Sequence, residues 1–178
     1  KAKPKFSLSA PSRLVASENL PVCWTTPKPL NFPVQMMCYK KESKRVKTKM
    51  GDSIIKLSIQ SDTDEIDKRK TAQSICPNLI HSLDASCLML AVIKAKDKGV
   101  TNFSLIHDSF GCVAPDVAKL SEAIREAFCE VYEQDVLTNW AMEMKQMLSE
   151  KNAKKFPHIP ERGNLDLSLV KQSTFFCV

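Results

Sequence analysis

Asp108 is the residue of this sequence whose surroundings most clearly indicate chemistry. It lies between His107 and Ser109 in an otherwise apolar stretch, 103–113, that is predicted to form a β-hairpin with Asp108 and Ser109 in the turn. A carboxylate held at a tight turn between two strands provides the rigid oxygen ligand that a divalent metal ion requires. Asp-Ser is also an ordinary turn sequence, so spacing alone leaves a purely structural interpretation open.

A second polar group lies on a segment with helical spacing. His81 and Asp84 are three residues apart, so they share one face of a helix, and Asn78 falls on the same side. Together they form a polar stripe on an otherwise apolar helix, which indicates a binding surface. A buried His–Asp pair with satisfied hydrogen bonds is the alternative interpretation.

Basic residues are concentrated in one stretch of the chain. The 178 residues contain 26 Lys and Arg against 20 Asp and Glu, a formal charge of +6. Between 40 and 49 a single acidic residue, Glu42, accompanies the basic residues Lys40, Lys41, Lys44, Arg45, Lys47 and Lys49. Such a patch suits nucleic acid or another anionic surface, and a solvated basic loop is the alternative.

The composition excludes several classes of protein. Hydrophobic residues make up 43% of the chain and charged residues 26%, which is typical of a globular protein and excludes disorder throughout. No apolar run approaches the roughly 18 to 20 residues that span a bilayer, so no membrane association is expected. The seven Cys residues form no Cys-x-x-Cys pair. This argues against structural zinc and favours free thiols in a reducing compartment.

The elements of the N-terminal half follow from hydrophobic alternation and turn residues. Residues 1–20 are expected to form an N-terminal loop or linker, with a short helical stretch over 12–19. A strand, a turn and a second strand are predicted over 21–37. After the basic stretch and a Gly51-Asp52 turn, alternating apolar residues at 54–59 predict another strand.

Helical spacing dominates the C-terminal half. Pro77 interrupts a helical region, so Asn78 is expected to cap a helix that ends at Gly99. After the 103–113 hairpin, apolar spacing predicts amphipathic helices at 117–131, with Val117 among the packing residues, and at 135–149. Strands and helices that follow one another in this way predict an α+β fold, with the hairpin packed by amphipathic helices.

Five segments of the sequence occur in one characteristic order. They are WTTPKPLNFPV from Trp24, DEIDKRKTAQSICPNLIHSLDAS from Asp64, FSLIHDSFG from Phe103, AIREAFCEVYEQDVL from Ala123 and PERGNLDLSLVKQSTFF from Pro160. This order resembles the C-terminal part of the single-subunit, bacteriophage-type DNA-dependent RNA polymerases, from about residue 20 onward. His-Asp-Ser alone is weakly specific, whereas the ordered set is highly specific.

The resemblance implies a palm-type fragment with a catalytic β-hairpin and an N-terminal β-rich segment. Residues 21–178 would be the C-terminal catalytic part of the palm and fingers. Asp108 would be the catalytic residue and would bind two Mg²⁺ ions together with a second Asp from an earlier motif. The reaction implied is nucleotidyl transfer from NTPs to an RNA product on a DNA template.

The resemblance also implies roles for the residues around Asp108. His81 would lie at the minor groove of the growing hybrid, where every base pair presents similar acceptors. The aromatic tail at 175–178 would lie close to the active site. The basic residues Lys40, Lys41, Lys44, Arg45 and Lys47 would follow phosphates. The remaining polar residues of the two motifs are expected to support the site; they are His107, Ser109, Asn78 and Asp84.

Departures from the family pattern limit what this chain does by itself. The family's first metal-binding Asp, its nucleotide-binding Lys and its sugar-sensing Tyr belong to motifs that are absent here, so we expect a fragment that is inactive alone. Cys87 and Cys112 replace a His and a Thr of many relatives. A non-catalytic, basic nucleic-acid-binding or structural module is the alternative function. Phage-infected bacterial cytoplasm and an organelle such as the mitochondrion are both compatible locations.

Overall fold

Three separate two-stranded antiparallel sheets and six α-helices form residues 6–174, the part of the chain that the computed structural model describes. The strands are β1 (Val22–Thr25), β2 (Pro33–Met36), β3 (Tyr39–Met50), β4 (Ser53–Ile66), β5 (Phe103–Ile106) and β6 (Ser109–Cys112). The helices are α1 (Ser9–Ser17), α2 (Lys68–Asp97), α3 (Val117–Glu133), α4 (Val136–Gln146), α5 (Glu150–Ala153) and α6 (Ser168–Gln172). This mixture confirms the predicted α+β class.

The 30-residue helix α2 runs through Pro77 without a break, so the predicted start at Asn78 is wrong. The helix is capped eleven residues earlier, by Asp67, whose carboxylate accepts hydrogen bonds from the backbone N–H groups of Arg69 and Lys70, both at 2.9 Å. Asn78 instead lies inside the helix and donates to the carbonyl of Ser74 at 2.8 Å. At the other end Gly99 has a φ of +87°, which supports the predicted stop.

Helix α2 connects two hydrophobic cores. Its first half places Ile75 and Leu79 in a core built with α1, β1, β2 and α4; the buried partners there are Val15, Val22, Trp24, Met36, Cys38, Trp140, Ala141 and Met144. Its second half packs on α3, where Ala91 and Ala95 face the buried residues Leu120, Ala123, Ala127 and Val131. A shift of α2 would therefore disturb both cores.

The core face of α3 is narrower than its sequence pattern predicted. Ala123 and Ala127 are fully buried, and Ile124 and Phe128 are only half-buried. Val117, which was predicted to pack, is 54% exposed. Small Ala side chains occupy the centre of the contact on both α2 and α3, so Ile124 and Phe128 lie at the flanks of α3.

The β5–β6 hairpin is confirmed, and its turn is one residue earlier than predicted. Ile106 pairs with Ser109, which leaves His107 and Asp108 as the two turn residues. Phe103 and Phe110 point to the same side and pack against the core between α2 and α3. This packing fixes the hairpin on the long helix.

The basic stretch is a strand and not a loop. β3 and β4 pair in register from Lys41 opposite Asp62 to Met50 opposite Ser53, with an irregularity between Tyr39 and Lys41. The strand predicted at 54–59 thus extends from Ser53 to Ile66. Residues 40–54 are all exposed, so this long hairpin, the β3–β4 ribbon, projects from the body of the protein.

The N-terminal residues contribute more structure than was expected of a loop. The helix predicted at 12–19 forms at Ser9–Ser17, and its Val15 and Ala16 are fully buried in the first core. The residue that caps this helix at its C-terminal end, Glu18, binds the start of α5. Its carboxylate accepts from the Ser149 N–H at 3.1 Å and from Asn152 Nδ2 at 2.6 Å.

One of the described helices is long and apolar enough to cross a membrane by length and composition. An 18-residue window of α2 has a mean hydropathy of 1.4, contrary to the expectation that no segment would qualify. The core helix of a soluble protein meets the same criterion. Here α2 packs along its length on α1 and α3.

Candidate active site

His81, Asp84, His107 and Asp108 line one open cleft with a volume of about 740 Å³. The first two side chains come from α2, and the last two come from the tip of the β5–β6 hairpin. The rest of the lining is apolar and belongs to α2; it consists of Ala85, Leu88 and Met89. The structure therefore brings together the two polar motifs that the sequence singled out separately.

The hairpin tip presents Asp108 to this cleft. The preceding residue, His107, has a φ of +53°, a backbone conformation that residues other than Gly rarely adopt. Such local strain persists where the surrounding structure holds the turn firmly, and it is concentrated at functional sites. Asp108 is exposed and forms no hydrogen bond or ion pair with any residue of 6–174. Its carboxylate oxygens are therefore available to a ligand.

The interpretation of His81 and Asp84 as a buried pair is wrong. Both residues are exposed on α2, and within the described part of the chain no hydrogen bond or ion pair joins them. Asn78 is also exposed, but its amide group contacts Ser74 and Met36 and does not line the cleft. Ser109 lies beside the cleft as the first residue of β6 and is absent from its lining.

Two side chains behind the cleft are held in their neutral forms. Burial, and to a smaller extent the charge of Asp84, raises the pKa of the Cys87 thiol to about 11. Burial, followed by the charges of Cys87 and Asp84, raises the pKa of Tyr132 to about 12. Cys87 is therefore a protonated thiol at neutral pH and does not act as a thiolate ligand or nucleophile.

The described residues do not provide a complete metal site. In residues 6–174 no three His, Cys, Asp or Glu side chains are grouped so that they could hold a metal ion. A cleft lined by two exposed carboxylates, those of Asp84 and Asp108, fits a site whose remaining ligands come from elsewhere. The six Cys residues of this region are all free, and Cys38 and Cys129 are buried.

The two faces of the β3–β4 ribbon differ in chemistry. Directly opposed residues of an antiparallel pair lie on the same face, and successive residues alternate between faces. One face is basic, because it carries Lys41, Arg45, Lys47, Lys49 and Lys56. The opposite face is largely apolar; its residues include Val46, Met50, Ile55, Leu57 and Ile59.

The ribbon does not bring the five predicted basic residues together. Lys41, Arg45 and Lys47 share the basic face, whereas Lys44 lies on the apolar face opposite Ile59. Lys40 precedes the regular part of the ribbon and forms an ion pair with Glu65 at 2.5 Å. None of these residues lines the cleft. The division of these residues between two faces was not predicted. Counting alternate residues outward from the Gly51-Asp52 turn would have assigned each residue to its face.

Comparison with known proteins identifies the family. A sequence model of the DNA-dependent RNA polymerase family matches residues 5–155. This chain belongs to that family. The match begins within the segment that was expected to be a linker, so the family relationship extends further than the resemblance from about residue 20.

The most similar polymerases include proteins of plant organelles. The chain is 40% identical over 165 residues to DNA-directed RNA polymerase 2, chloroplastic/mitochondrial, of Arabidopsis thaliana, covering 93% of the chain and 15% of that polymerase. It is 36% identical over 165 residues to the mitochondrial polymerase 1 of the same plant. These residues cover 93% of the chain and 16% of that polymerase. DNA-directed RNA polymerase 1A of Nicotiana tabacum is 35% identical over 163 residues, which cover 92% of the chain and 99% of that relative.

The chain thus spans about 15 to 16% of the length of the first two of these polymerases. The resemblance to single-subunit, phage-type RNA polymerases is confirmed by the family match and by these relatives. The aromatic tail at 175–178, which the resemblance placed near the active site, lies outside the described residues.

Proposed function

We propose that this chain is the C-terminal part of the catalytic region of a single-subunit RNA polymerase and provides Asp108 for templated nucleotidyl transfer. The observation that carries the proposal is the shared cleft, in which Asp108 and His81 meet from two separate family motifs. A cleft with a metal-binding carboxylate on one side and a hydrogen-bonding His on the other suits the reacting end of a nucleic acid. Membership of the polymerase family supports the same function.

Asp108 is the residue of this chain that would hold Mg²⁺. When bound, the ions would lower the pKa of the attacking 3′-hydroxyl and neutralise the phosphates. Asp108 would supply a hard anionic oxygen as the ligand. The turn that carries Asp108 stays in place because Phe103 and Phe110 pack against the core. Further ligands would come from the upstream part of the polymerase, because the described residues group no three of them.

His81 would check base-pair geometry at the reacting end. The minor groove presents hydrogen-bond acceptors at similar positions for every correct pair, so a donor there responds to shape and not to sequence. His81 is exposed on the wall of the cleft and is able to donate through its ring N–H. Asp84, one turn later in the same wall, would keep a negative charge near His81 and Asp108.

The basic face of the β3–β4 ribbon would bind phosphates. Lys47 lies directly opposite Lys56, and like charges in this arrangement destabilise a sheet. A polyanion beside the two ammonium groups removes this repulsion, so the pairing favours a nucleic-acid ligand. Because contacts to phosphate are independent of sequence, the face would serve as a general anchor for nucleic acid.

The partners and the location follow from the same proposal. A polymerase of this family would use a DNA template and NTPs, and it would release an RNA product. The two Arabidopsis relatives are named as chloroplastic/mitochondrial and mitochondrial polymerases, so we place this protein in an organelle in preference to a phage-infected cell.

A hybrid polymerase tests the proposal directly. In it, this chain replaces the matching segment of the Arabidopsis polymerase 2, with which it shares 40% identity. We expect template-directed RNA synthesis that depends on the transplanted chain, measured by single-nucleotide extension of a primed template. A hybrid that folds, as judged by its melting, but extends no primer would contradict the proposal.

A further inference from the structure

Pro77 removes one backbone hydrogen bond from the turn of α2 that precedes His81. Proline has no N–H group, so the carbonyl of Gln73, four residues earlier, loses its usual helical partner. His81 follows Pro77 by about one turn. The turn before His81 is therefore held by one backbone hydrogen bond fewer than in an uninterrupted helix.

Side-chain contacts restrain this turn from the opposite side. The indole Nε1 of Trp24 in β1 donates a hydrogen bond to Ser82 Oγ at 3.0 Å, and Ser82 Oγ donates in turn to the carbonyl of Leu79 at 2.7 Å. Trp24 is only 3% exposed and packs in the first core beside Ile75 and Leu79. The hydrogen bond therefore connects a rigid core residue to the position directly after His81.

His81 has no hydrogen-bonding partner of its own within residues 6–174. The orientation of its side chain must therefore come from the helix that carries it. Successive helical residues differ by about 100° around the axis, so a small rotation of this turn displaces the imidazole ring across the cleft. A contact at the next residue controls that rotation.

We infer that Trp24 is a positioning residue for His81 and acts through its hydrogen bond to Ser82. This inference rests on the proposed role of His81 at the base pair. Trp24 touches neither the cleft nor any reacting group; it fixes the rotation of α2 at the turn that presents the imidazole. The sequence placed Trp24 and the His-Ser pair in two separate family segments, and the structure joins them.

Two variants of the hybrid polymerase remove the contact from either end. Trp24→Phe keeps a buried ring but loses the N–H, and Ser82→Ala loses the acceptor. The readout is the ratio of extension efficiency, kcat/KM, for the matched nucleotide to that for a mismatched one. We expect this ratio to fall by about two- to tenfold in each variant, as the loss of one hydrogen bond predicts. The double variant should show the same ratio as each single variant, because the two substitutions remove the same hydrogen bond.

Two further variants serve as matched controls. Ser82→Thr keeps the hydroxyl group and should preserve the ratio. Ser86→Ala removes a hydroxyl that is buried in the same helix and donates to the Ser82 carbonyl at 2.7 Å, but does not contact Trp24. It should also leave the ratio unchanged. An equal loss in Ser86→Ala would assign the effect to general helix stability and would overturn the inference.

A background without the imidazole separates this inference from the proposed function. In His81→Ala, adding Ser82→Ala should reduce the ratio no further, because the residue that it positions is gone. If His81→Ala itself leaves the ratio unchanged, the proposed role of His81 is wrong. If His81→Ala lowers the ratio while Trp24→Phe and Ser82→Ala do not, only the positioning role of Trp24 is wrong.

Discussion

His81 and Asp108 face the same cleft, although one lies in the middle of a long helix and the other at the tip of a two-stranded hairpin. The packing of Phe110 between α2 and α3 holds the hairpin against the helix. The relationship between the two residues thus depends on the hydrophobic clusters that α2 and α3 build together and on which Phe110 packs.

Replacing Asp108 by Asn should abolish nucleotide addition in the hybrid polymerase. The substitution keeps the shape of the side chain but removes the charge that a divalent metal ion needs, whereas contacts to template phosphates remain. Single-turnover extension and template binding are measured in parallel. Asp97→Asn, a change to an exposed carboxylate at the end of α2 and outside the cleft, is the matched control. An Asp108→Asn enzyme that retains more than about a tenth of the extension rate would exclude the metal role.

The two faces of the ribbon should contribute differently to nucleic-acid binding. Replacing Arg45 and Lys47 by Ala should weaken binding and lower the slope of log affinity against log salt by somewhat under one unit for each lost phosphate contact, about 0.7 to 0.9. Lys44→Ala, on the apolar face, should change the slope much less. His81→Ala should leave the slope unchanged and alter extension instead. Equal slopes for the two faces would contradict the assignment of the basic face.

The isolated chain should synthesise no RNA. The described residues group no three possible metal ligands, so by themselves they cannot hold the pair of metal ions that nucleotidyl transfer uses. The chain should still bind nucleic acid weakly, with an affinity that falls steeply as salt rises. The measurement is primer extension by the purified chain beside a filter-binding titration. Templated extension by the chain alone would show that the upstream motifs are dispensable, and binding without salt dependence would remove the basic face from the proposal.

Stability should depend on pH through Glu18. Hydrogen bonds from Ser149 and Asn152 lower the pKa of the Glu18 carboxyl below its ordinary value of 4.5. A group with a lowered pKa in the folded state contributes stability above its unfolded pKa and loses that contribution as the pH falls through the folded pKa. Glu18→Gln should therefore melt at a lower temperature than the natural chain at pH 7, and the two melting curves should converge below about pH 4.5.

The control for this prediction is Glu161→Gln, a change to an exposed carboxylate outside the α1–α5 contact. Its melting temperature should follow that of the natural chain at every pH. A difference between Glu18→Gln and the natural chain that persists unchanged at acid pH would assign the effect to packing and not to charge.

The residues at the site were more predictable than the elements that carry them. The β5–β6 hairpin was placed to within one residue because its apolar strands alternate around a polar turn. The start of α2 was missed because Pro77 suggested a break, whereas the cap at Asp67 and packing on two cores override one lost hydrogen bond. The strand β3 was missed because no residue of Lys40–Met50 is buried, so its sequence is dominated by basic and polar residues in place of core-facing apolar ones.

The link between Trp24 and Ser82 could not have been predicted from spacing. The two residues are 58 positions apart, and the bond between them depends on how β1 meets α2 in the folded protein. The shared cleft likewise depends on long-range packing, since Phe110 packs against clusters built from both α2 and α3. Local patterns identify the reactive residue types, and the distances between them arise only from the tertiary fold.

The solvent exposure of the β3–β4 ribbon has a consequence for the energetics of binding. A two-stranded hairpin with no third strand or helix behind it is marginally stable in water. Ordering its strands therefore costs part of the free energy of binding, and the observed affinity equals the intrinsic affinity multiplied by the fraction of molecules in which the ribbon is already formed. Substitutions that stabilise the paired strands β3 and β4, at positions far from any bound phosphate, should therefore raise the affinity for nucleic acid without adding a contact. Hydrogen exchange at Val46 and Leu57 would report this coupling as slower exchange once nucleic acid is bound.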